Sequence, residues 1–376
     1  MAAKDGGAEG GPGDASWRPP VNLKALARHL GLSSSTVSLV VNRSPAARSI
    51  PQKTKERILA AARELNYRPS HLARSLRSRR SLTIGVLISE VSEGYAAGIL
   101  SGIDFHLMQE GYLFLVASHR NMPGLLEEHV RLLQDRHVEG YVLVNTPLDR
   151  PLPLPAVVVS GRRRLAGVTN LAIDHDRGVA LALSHLKDHG HERVAFFRGH
   201  RQSADTEDRW RAVLATARSL GIAVRPELVV ELEGESVGGP FPPEEGYREG
   251  TAFAERLLGR GVPFTALFAF NDVSAIGALL AFRRASLRVP EDVSVVGFDD
   301  VQGAAFQNPS LTTVRQPLRE IGEIAARALL ERIRGGPAQE AIMVEPRLVV
   351  RESTGPAPGL GRPPSASRSR GRSRVF

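Results

Sequence analysis

The chain has 376 residues, which is more than one compact core holds, and this length predicts two or three folded units. Its 42% hydrophobic and 24% charged residues are ordinary for a globular protein. No apolar run reaches about 18 residues, so we expect no membrane span. The lack of cysteine excludes a disulfide scaffold and a thiolate metal site, and it is typical of a protein that stays in the reducing cytoplasm.

The net charge of +9 is distributed unevenly along the chain. Residues 21–80 contain thirteen Lys or Arg but only two acidic residues, a net charge of +11. Residues 355–376 contribute +5 and residues 1–20 contribute −1, which leaves −6 for residues 81–354. A basic segment joined to an acidic body is typical of a polyanion-binding module fused to a second domain.

Both ends of the chain are predicted to be disordered. Residues 1–20 are rich in Gly, Ala and Pro and lack the apolar segment of a signal peptide, so we also expect no export. Residues 355–376 form a tail rich in Pro, Ser and Arg, whose charge suits non-specific attraction to DNA.

The segment 21–68 has the apolar spacing of three short helices. Asn22 is placed to cap the first helix, and Gly31 ends it and permits a tight turn. A third helix is predicted over 52–65, where Pro51 stands in place of a capping Ser or Thr. An unrelated small helical bundle is the alternative, but it leaves the thirteen basic residues unexplained.

A second helix is predicted over 34–41, with Ser33 as its cap. The periodicity buries its valines and presents the opposite face near the N-terminal end, where a recognition helix places its base-reading side chains. That face consists of Ser34, Ser35, Ser38 and Leu39. Short polar side chains opening the second helix after a tight turn indicate a helix-turn-helix DNA-binding module.

Residues 69–80 are predicted to form a hinge between two domains. One or two helical turns follow Pro69, with Leu72 and Leu76 on the same face, but so short and basic a helix is not stable alone. We expect it to fold on DNA and to insert an apolar side chain into the minor groove. A basic linker without such a role is the alternative.

After residue 80, short β-branched runs alternate with helical stretches, which predicts parallel sheets with helices on both faces. The predicted strands are 82–89, 112–117, 140–145, 156–160, 194–197, 266–270 and 293–298. The clearest predicted helices are 96–109, 178–189 and 273–285. Residues 81–354 are long enough for two such lobes, and ligands of open parallel sheets bind beyond the C-terminal ends of the strands. The polar residues at those ends lie in 89–95, 119–121, 145, 271–272 and 299–300.

Four stretches of the chain resemble the LacI/GalR family of bacterial regulators. They are VNLKALARHLGLSSSTVSLVVNRSP, TKERILAAARELNYRPSHLARSLRSRRSLTIGVL, AFNDVSAIGALLAF and RVPEDVSVVGFDD, in the order of the family. The resemblance covers residues 21–354 and implies a helix-turn-helix head on a two-lobed α/β body like a periplasmic binding protein, with Rossmann-like parallel sheets. It also implies a homodimer that reads a pseudo-palindromic operator in double-stranded DNA.

The predicted DNA-contacting residues lie in the second helix and in the hinge. They are Ser34, Ser35, Thr36, Ser38, Leu39, Asn42, Arg74 and Leu76. The resemblance implies that Leu76 is the leucine inserted into the minor groove. Leu39 stands where many members of the family carry a polar residue, so we expect an apolar contact there, such as with a thymine methyl group.

The resemblance also implies a small-molecule effector, a sugar or a related metabolite, bound between the lobes. The implied effector-binding residues are Tyr95, Asp174, Arg209, Asn271 and Asp299. Arg with Asp and Asn suits a pair of sugar hydroxyls or an acidic group. Asn271 and Asp299 are alternatively caps of the elements that follow them, and Arg209 is alternatively a surface residue.

We interpret the chain as an effector-controlled transcriptional regulator, most simply a repressor, that works in the cytoplasm without a cofactor. No nucleophile elbow, phosphate-binding loop or dinucleotide fingerprint is present, which argues against an enzyme. A metal site at His189 and His191 is disfavoured because the intervening Gly190 marks a turn. The remaining alternatives are a sugar-binding protein of a transporter and a constitutive DNA-binding regulator that has no effector.

Overall fold

The computed structural model describes residues 21–42, 44–67, 80–91, 94–146, 148–160, 165–200, 203–231, 245–337 and 339–359. The predicted leader 1–20, most of the predicted hinge with Arg74 and Leu76, and residues 360–376 of the predicted tail lie outside these residues. The chain divides between Ser81 and Leu82 into a head and a body. Among the described residues, no helix combines the length and apolarity needed to cross a membrane.

The helices of the described residues are α1 (Leu23–Leu30), α2 (Ser34–Val41), α3 (Gln52–Glu64), α4 (Gly94–Gln109), α5 (Pro123–Asp135), α6 (His175–Asp188), α7 (Thr206–Ser219), α8 (Glu245–Gly259), α9 (Asp272–Arg284) and α10 (Leu318–Ile333). The strands are β1 (Thr83–Ile88), β2 (Leu113–Ser118), β3 (Tyr141–Val144), β4 (Ala156–Val159), β5 (Val168–Ile173), β6 (Val194–Arg198), β7 (Val229–Glu231), β8 (Ala266–Phe268), β9 (Ser294–Asp299), β10 (Thr312–Arg315), β11 (Ala341–Val344) and β12 (Arg347–Val349).

Local hydrogen bonds define the helices of the head as the sequence predicts. Asn22 Oδ1 accepts from the backbone N–H of Ala25 at 2.9 Å, and Gly31 ends α1 with a φ of 63°. Ser33 Oγ accepts from the N–H of Thr36 at 3.1 Å and caps α2. The three helices share a core around Leu26, Val37 and Ile58, all fully buried, while α3 begins after Pro51 without a side-chain cap.

The body contains two six-stranded sheets, one in each lobe. Lobe 1 has the strand order β11-β5-β4-β3-β1-β2, all parallel, with α4 and α10 on one face and α5 on the other. Lobe 2 has the order β12-β10-β9-β8-β6-β7, parallel except for β12, with α8 and α9 on one face and α6 and α7 on the other. The predicted architecture, a small helix-turn-helix head with a two-lobed α/β body, is confirmed.

The chain crosses between the lobes three times, at residues 173–175, 315–318 and 344–347. The seven predicted strands all form, but the prediction missed five others. Two of the missed strands bury polar side chains, which hides them from a hydrophobicity pattern. Thr169 and Asn170 are buried in β5, and Thr312 and Thr313 are fully buried in β10.

The prediction that residues 355–376 are disordered is wrong for the first of them, because Gly355 and Ala357 are held by the body. The carbonyl oxygen of Gly355 accepts from His191 Nε2 at 3.0 Å, and its N–H donates to Ser294 Oγ at 3.1 Å. The N–H of Ala357 donates to the carbonyl oxygen of His189 at 2.8 Å. His191 is fully buried, so these bonds replace hydration that the segment would otherwise need.

Candidate functional site

The first candidate surface is the N-terminal part of α2 in the head. Ser35 is exposed, Ser34 and Thr36 are half-buried, and Asn42 is exposed at the C-terminal end of the helix. The Thr36 hydroxyl lies 2.8 Å from Ser33 Oγ, so the cap also orients this side chain. Of the four residues predicted to form the reading face of α2, Ser34 and Ser35 are thus accessible.

Two residues of the predicted face lie elsewhere. Ser38 is only 4% exposed, and its Oγ accepts from Asn42 Nδ2 at 3.2 Å, so the prediction that it lies on the exposed face is wrong. The helix periodicity failed here because α2 has only eight residues and is apolar on more than one face. Leu39 packs partly against the core of the head, so only part of its side chain is available to a partner.

The second candidate site is the cleft of the body, where the C-terminal ends of strands from both lobes meet. Asn145 and Ser160 follow strands of lobe 1, and Asp299 ends β9 of lobe 2. All three have positive φ values, of 48°, 65° and 123° respectively. Such values are uncommon for residues other than glycine and concentrate where a fold must direct particular groups into a site.

Arg209 lies at the centre of the cleft with only 3% of its surface exposed. Its guanidinium carbon lies 4.4 Å from the ring centroid of Phe270 and 3.8 Å from that of Phe298. Arg209 Nη1 donates to the carbonyl oxygen of Phe270 at 2.6 Å, and Nη2 lies 3.5 Å from Asp205 Oδ2. Arg209 is therefore a buried cation that aromatic rings and a carboxylate hold in place, not a surface residue.

Sequence reasoning missed Asp205, which connects both lobes in this cleft. Asp205 Oδ2 accepts from Ser160 Oγ of lobe 1 at 3.1 Å, and Oδ1 lies 3.2 Å from His175 Nε2. The adjacent Ala204 donates its N–H to Asn145 Oδ1 at 3.1 Å, again across the cleft. Asp205 precedes α7, where Asp usually caps the helix, but its carboxylate makes no cap hydrogen bond. A sequence pattern cannot distinguish a capping Asp from one whose carboxylate turns towards the facing lobe.

The two cleft carboxylates differ in their electrostatics. Burial opposes ionisation of Asp205, but the hydrogen bond from His175 and the nearby charges of His175 and Arg209 outweigh it and lower the pKa of this carboxyl. Burial raises the pKa of Asp299 well above its ordinary value, against the effect of Arg209 and with a further contribution from Asp272. Asp205 is therefore the charged partner of Arg209, whereas Asp299 favours its protonated form.

Asp299 is 5% exposed and accepts from Gln316 Nε2 at 2.6 Å. Gln316 belongs to the segment that crosses from β10 to α10, so this hydrogen bond joins a cleft residue to a connection between the lobes. Asp299 makes no cap hydrogen bond, because Asp272 Oδ2 accepts the N–H of Val301 instead. The geometry therefore favours the binding prediction over the capping alternative for Asp299.

Asn271 and Asp174 have capping roles in this structure. Asn271 Oδ1 accepts from the N–H of Ser274 at 2.9 Å and forms a reciprocal capping box at the start of α9. Asp174 Oδ1 accepts from the N–H of Arg177 at 2.9 Å at the start of α6. Both remain predictions as effector contacts, although the next residue after Asp174, His175, is the one that contacts Asp205.

Tyr95 lies in the cleft as predicted, on the first turn of α4. Its hydroxyl oxygen lies 3.2 Å from Ser160 Oγ, which joins it to the network of Asp205. Burial raises the pKa of Tyr95, and the nearby charge of Asp205 adds to this effect. Tyr95 therefore stays protonated and offers a hydroxyl at the lobe 1 wall of the cleft.

Two buried nitrogen atoms of this network have no hydrogen-bond partner among the described residues. They are Arg209 Nε and His175 Nδ1. Buried polar atoms are normally paired, and unpaired ones point to a water or ligand that would complete them. Within the same described part of the chain, no group of three His, Asp or Glu side chains is arranged to hold a metal ion.

Comparisons with known proteins give a family match for the head and another for the body. The family described as bacterial regulatory proteins, lacI family, matches residues 22–70, and the periplasmic binding protein-like domain matches residues 183–354. The HTH-type transcriptional repressors PurR of Pasteurella multocida and of Haemophilus influenzae are each 30% identical to this chain, and each match covers 88% of this chain and 98% of the relative.

Solved structures give the same result. The lac repressor dimer bound to operator and the anti-inducer ONPF has 27% identity and a TM-score of 0.78, covering 90% of this chain and 100% of the other. The transcriptional regulator CelR–cellobiose complex has 30% identity and a TM-score of 0.62, covering 89% of this chain and 100% of the other. This chain belongs to the LacI family of bacterial regulatory proteins.

Proposed function

We propose that this protein is a sequence-specific DNA-binding transcriptional repressor controlled by a small-molecule effector, and that it acts as a cytoplasmic regulator, not as an enzyme. The observation that carries the proposal is the combination, in one chain, of a capped helix with an exposed polar face and a two-lobed body. The lobes of that body meet at Asp205, the carboxylate partner of the buried Arg209. The relatives named above are repressors, and one structural neighbour contains cellobiose.

Effector control follows from the way the lobes meet. The cavity beside Arg209 lies within lobe 2, where Phe270 and Trp210 also line it, and its volume of about 10 Å³ is smaller than a sugar-like ligand requires. Hydrogen bonds such as Ser160–Asp205 hold the two lobes together, so an effector that binds between the lobes must separate them and replace these bonds. We propose that this change in lobe closure alters operator affinity, because a ligand shifts a conformational equilibrium only through its differential contacts with the two states.

A homodimer is supported by an apolar surface on lobe 1. β2 is an edge strand of its sheet, and an uncovered edge strand with apolar side chains is prone to association. The exposed apolar side chains of β2 and the adjoining end of α4 are Phe105, Met108, Leu113, Leu115 and Val116. We expect Leu113→Glu to give a monomer in sedimentation analysis. Leu132→Glu, at an exposed position of α5, should leave the dimer intact.

Operator binding is tested by incubating the purified protein with sheared genomic DNA and sequencing the bound fragments. We expect a palindromic site, and we expect Ser35→Glu to abolish its enrichment because a carboxylate on the exposed face of α2 repels phosphates. Ala60→Glu changes the charge equally at an exposed position of α3 and is the matched control. Equal enrichment by both variants contradicts the proposed reading surface, and enrichment of no site by the unmodified protein contradicts the DNA-binding function.

A further inference from the structure

We propose that Asp205 serves as a built-in carboxylate for Arg209 and thereby restricts the effector to neutral, hydroxyl-bearing molecules, excluding carboxylates and phosphates. The inference rests on the proposed function, because it assigns a ligand class to the same cleft. A buried arginine by itself suits a sugar or an acid equally well. The neighbours of Arg209 are what distinguish these two classes.

The anion position beside Arg209 is taken by the protein itself. Asp205 lies one helical turn before Arg209 on the same chain, with its Oδ2 3.5 Å from Arg209 Nη2. The same carboxylate is held by Ser160 Oγ and by His175 Nε2, at 3.1 and 3.2 Å. Three donors from two lobes thus fix one carboxylate, and an acidic effector would have to displace it.

An acid that entered without displacing Asp205 would add negative charge to the cleft. In the described cleft, the buried guanidinium of Arg209 lies beside the carboxyls of Asp205 and Asp299, and His175 Nε2 is already engaged by Asp205. A further anion would place a second negative charge beside Arg209 in a largely dehydrated space, where like charges repel strongly. Burial, with smaller contributions from Asp272 and Asp205, already raises the pKa of Asp299.

Arg209 keeps a hydrogen-bond donor that no residue of the described protein uses. Arg209 Nη1 is used by the carbonyl oxygen of Phe270, whereas Nε has no partner among the described residues. An unpaired donor, the Nε–H of Arg209, therefore lies in the same cleft as the Asp205 carboxylate, which accepts hydrogen bonds. A hydroxyl group both accepts and donates, so it fits this arrangement, whereas a carboxylate only accepts.

Asp205 has the further effect of joining the lobes. Its bond to Ser160 and the adjacent bond from Ala204 to Asn145 cross the cleft side by side. Entry of an effector breaks the bond to Ser160, and the hydroxyl groups of the effector replace the Ser160 hydroxyl as donors to Asp205. Recognition of the effector and movement of the lobes therefore depend on the same carboxylate.

The test uses the full chain and asks whether a free carboxylate fills the position of Asp205. Asp205→Ala removes a group of the size of formate, so we expect sodium formate to raise the Tm of this variant by at least about 2 °C over sodium chloride of equal ionic strength. The apparent Kd for formate should be at least about tenfold lower for the variant than for the unmodified protein. Asp208→Ala is the matched control, because Asp208 lies on the same helix and pairs with Arg211 at the surface.

Formate that stabilises all three proteins equally, or that fails to stabilise a folded Asp205→Ala, overturns the assignment. If Asp205→Ala does not fold, Asp205→Ser, which keeps a residue suited to the helix start, takes its place in the same measurement. These experiments need neither operator nor effector, so they stay decisive even if the proposed function fails.

The ligand class is tested with matched pairs of a neutral sugar and its acid. Cellobiose with cellobionate, and glucose with gluconate, are compared by thermal shift on the unmodified protein and on Asp205→Ala. We expect no acid to stabilise the unmodified protein and expect the acids to gain affinity in the variant. Stabilisation of the unmodified protein by an acid in preference to its neutral partner overturns the proposal.

Discussion

A Cβ atom placed on Gly102 would lie 1.9 Å from the carbonyl oxygen of Arg319, because α4 and α10 cross with their backbones in contact. The reverse contact is equally close, since a Cβ atom on Gly322 would lie 2.0 Å from the carbonyl oxygen of Ile99. α10 enters lobe 1 from a crossing segment between the lobes, so this close packing anchors the connection that carries Gln316.

We expect Gly102→Ala to lower the free energy of unfolding by at least about 2 kcal/mol, because the backbones must separate to admit a methyl group. Gly124→Ala is the control, since no atom lies within 4 Å of a Cβ built on Gly124 in α5. Urea titrations followed by circular dichroism give both values. A Gly102→Ala protein as stable as the Gly124→Ala protein would contradict this account of the crossing.

His119 makes the stability of lobe 1 depend on pH. Burial, with a contribution from His129, lowers the pKa of His119 to about 4, while its Nε2 and Nδ1 are engaged by Thr146 Oγ1 and the N–H of Asn121. The folded pKa lies below the unfolded value of about 6.5, so neutral His119 contributes fully above pH 6.5 and this contribution is lost as the pH falls towards 4.

The stability difference between the unmodified protein and His119→Gln should therefore shrink by up to about 3 kcal/mol between pH 7 and pH 4. Comparing the two proteins at each pH cancels the titration of other groups that they share. His137→Gln, at an exposed turn, provides the control. A difference that stays constant with pH would refute the role of His119.

Asp272 makes the stability of lobe 2 depend on pH in the opposite direction. Burial raises its pKa to about 6, against the hydrogen bonds from Thr313 Oγ1 and the N–H of Val301, and the neighbouring Asp300 adds to the increase. Because the folded pKa exceeds the unfolded value, the stability that its protonated form contributes is complete below about pH 4 and is lost as the pH rises through 6.

Replacing Asp272 with Asn removes this titration while keeping the size of the side chain. We expect the stability of Asp272→Asn, relative to the unmodified protein, to improve by about 3 kcal/mol between pH 4 and pH 8. Chemical unfolding across that range measures the change. Asp135→Asn, at an exposed position of α5, is the control, and a decline for Asp272→Asn would show that the carboxylate is stabilised in the fold.

Shortening the chain tests whether the segment after Thr354 stabilises the body. A chain that ends at Gly359 keeps the bonds of Gly355 and Ala357 to His191, Ser294 and His189, whereas a chain that ends at Thr354 loses them. We expect the shorter chain to be less stable by about 2 kcal/mol or more, at roughly 1 kcal/mol for each hydrogen bond.

The chain that ends at Gly359 also lacks the five arginines of residues 362–374. It should match the stability of the full chain but bind non-specific DNA more weakly, with a shallower salt dependence. Equal thermal stability of the two shortened chains would show that residues 355–359 add nothing to the body.

Local interactions explain what the sequence alone determined. Asn22, Gly31 and Ser33 mark the boundaries of α1 and α2 through contacts within three or four residues, so their roles follow from residue type and spacing. Runs of β-branched residues similarly predicted the central strands. Family resemblance added Arg209 and Asp299, which the structure brings into one cleft.

Tertiary structure decided the rest, because the relevant contacts join residues far apart in the chain. β10 buries Thr312 and Thr313, whose hydroxyl groups find partners far along the chain: Thr312 Oγ1 accepts from the N–H of Arg351, and Thr313 Oγ1 donates to Asp272 Oδ1. Asp205 has the sequence character of a helix cap, yet Ser160, 45 positions away, and Arg209 turn its carboxylate into the cleft. Residue type determines which hydrogen bonds a side chain can make, but only the approach of the two lobes selects the partner.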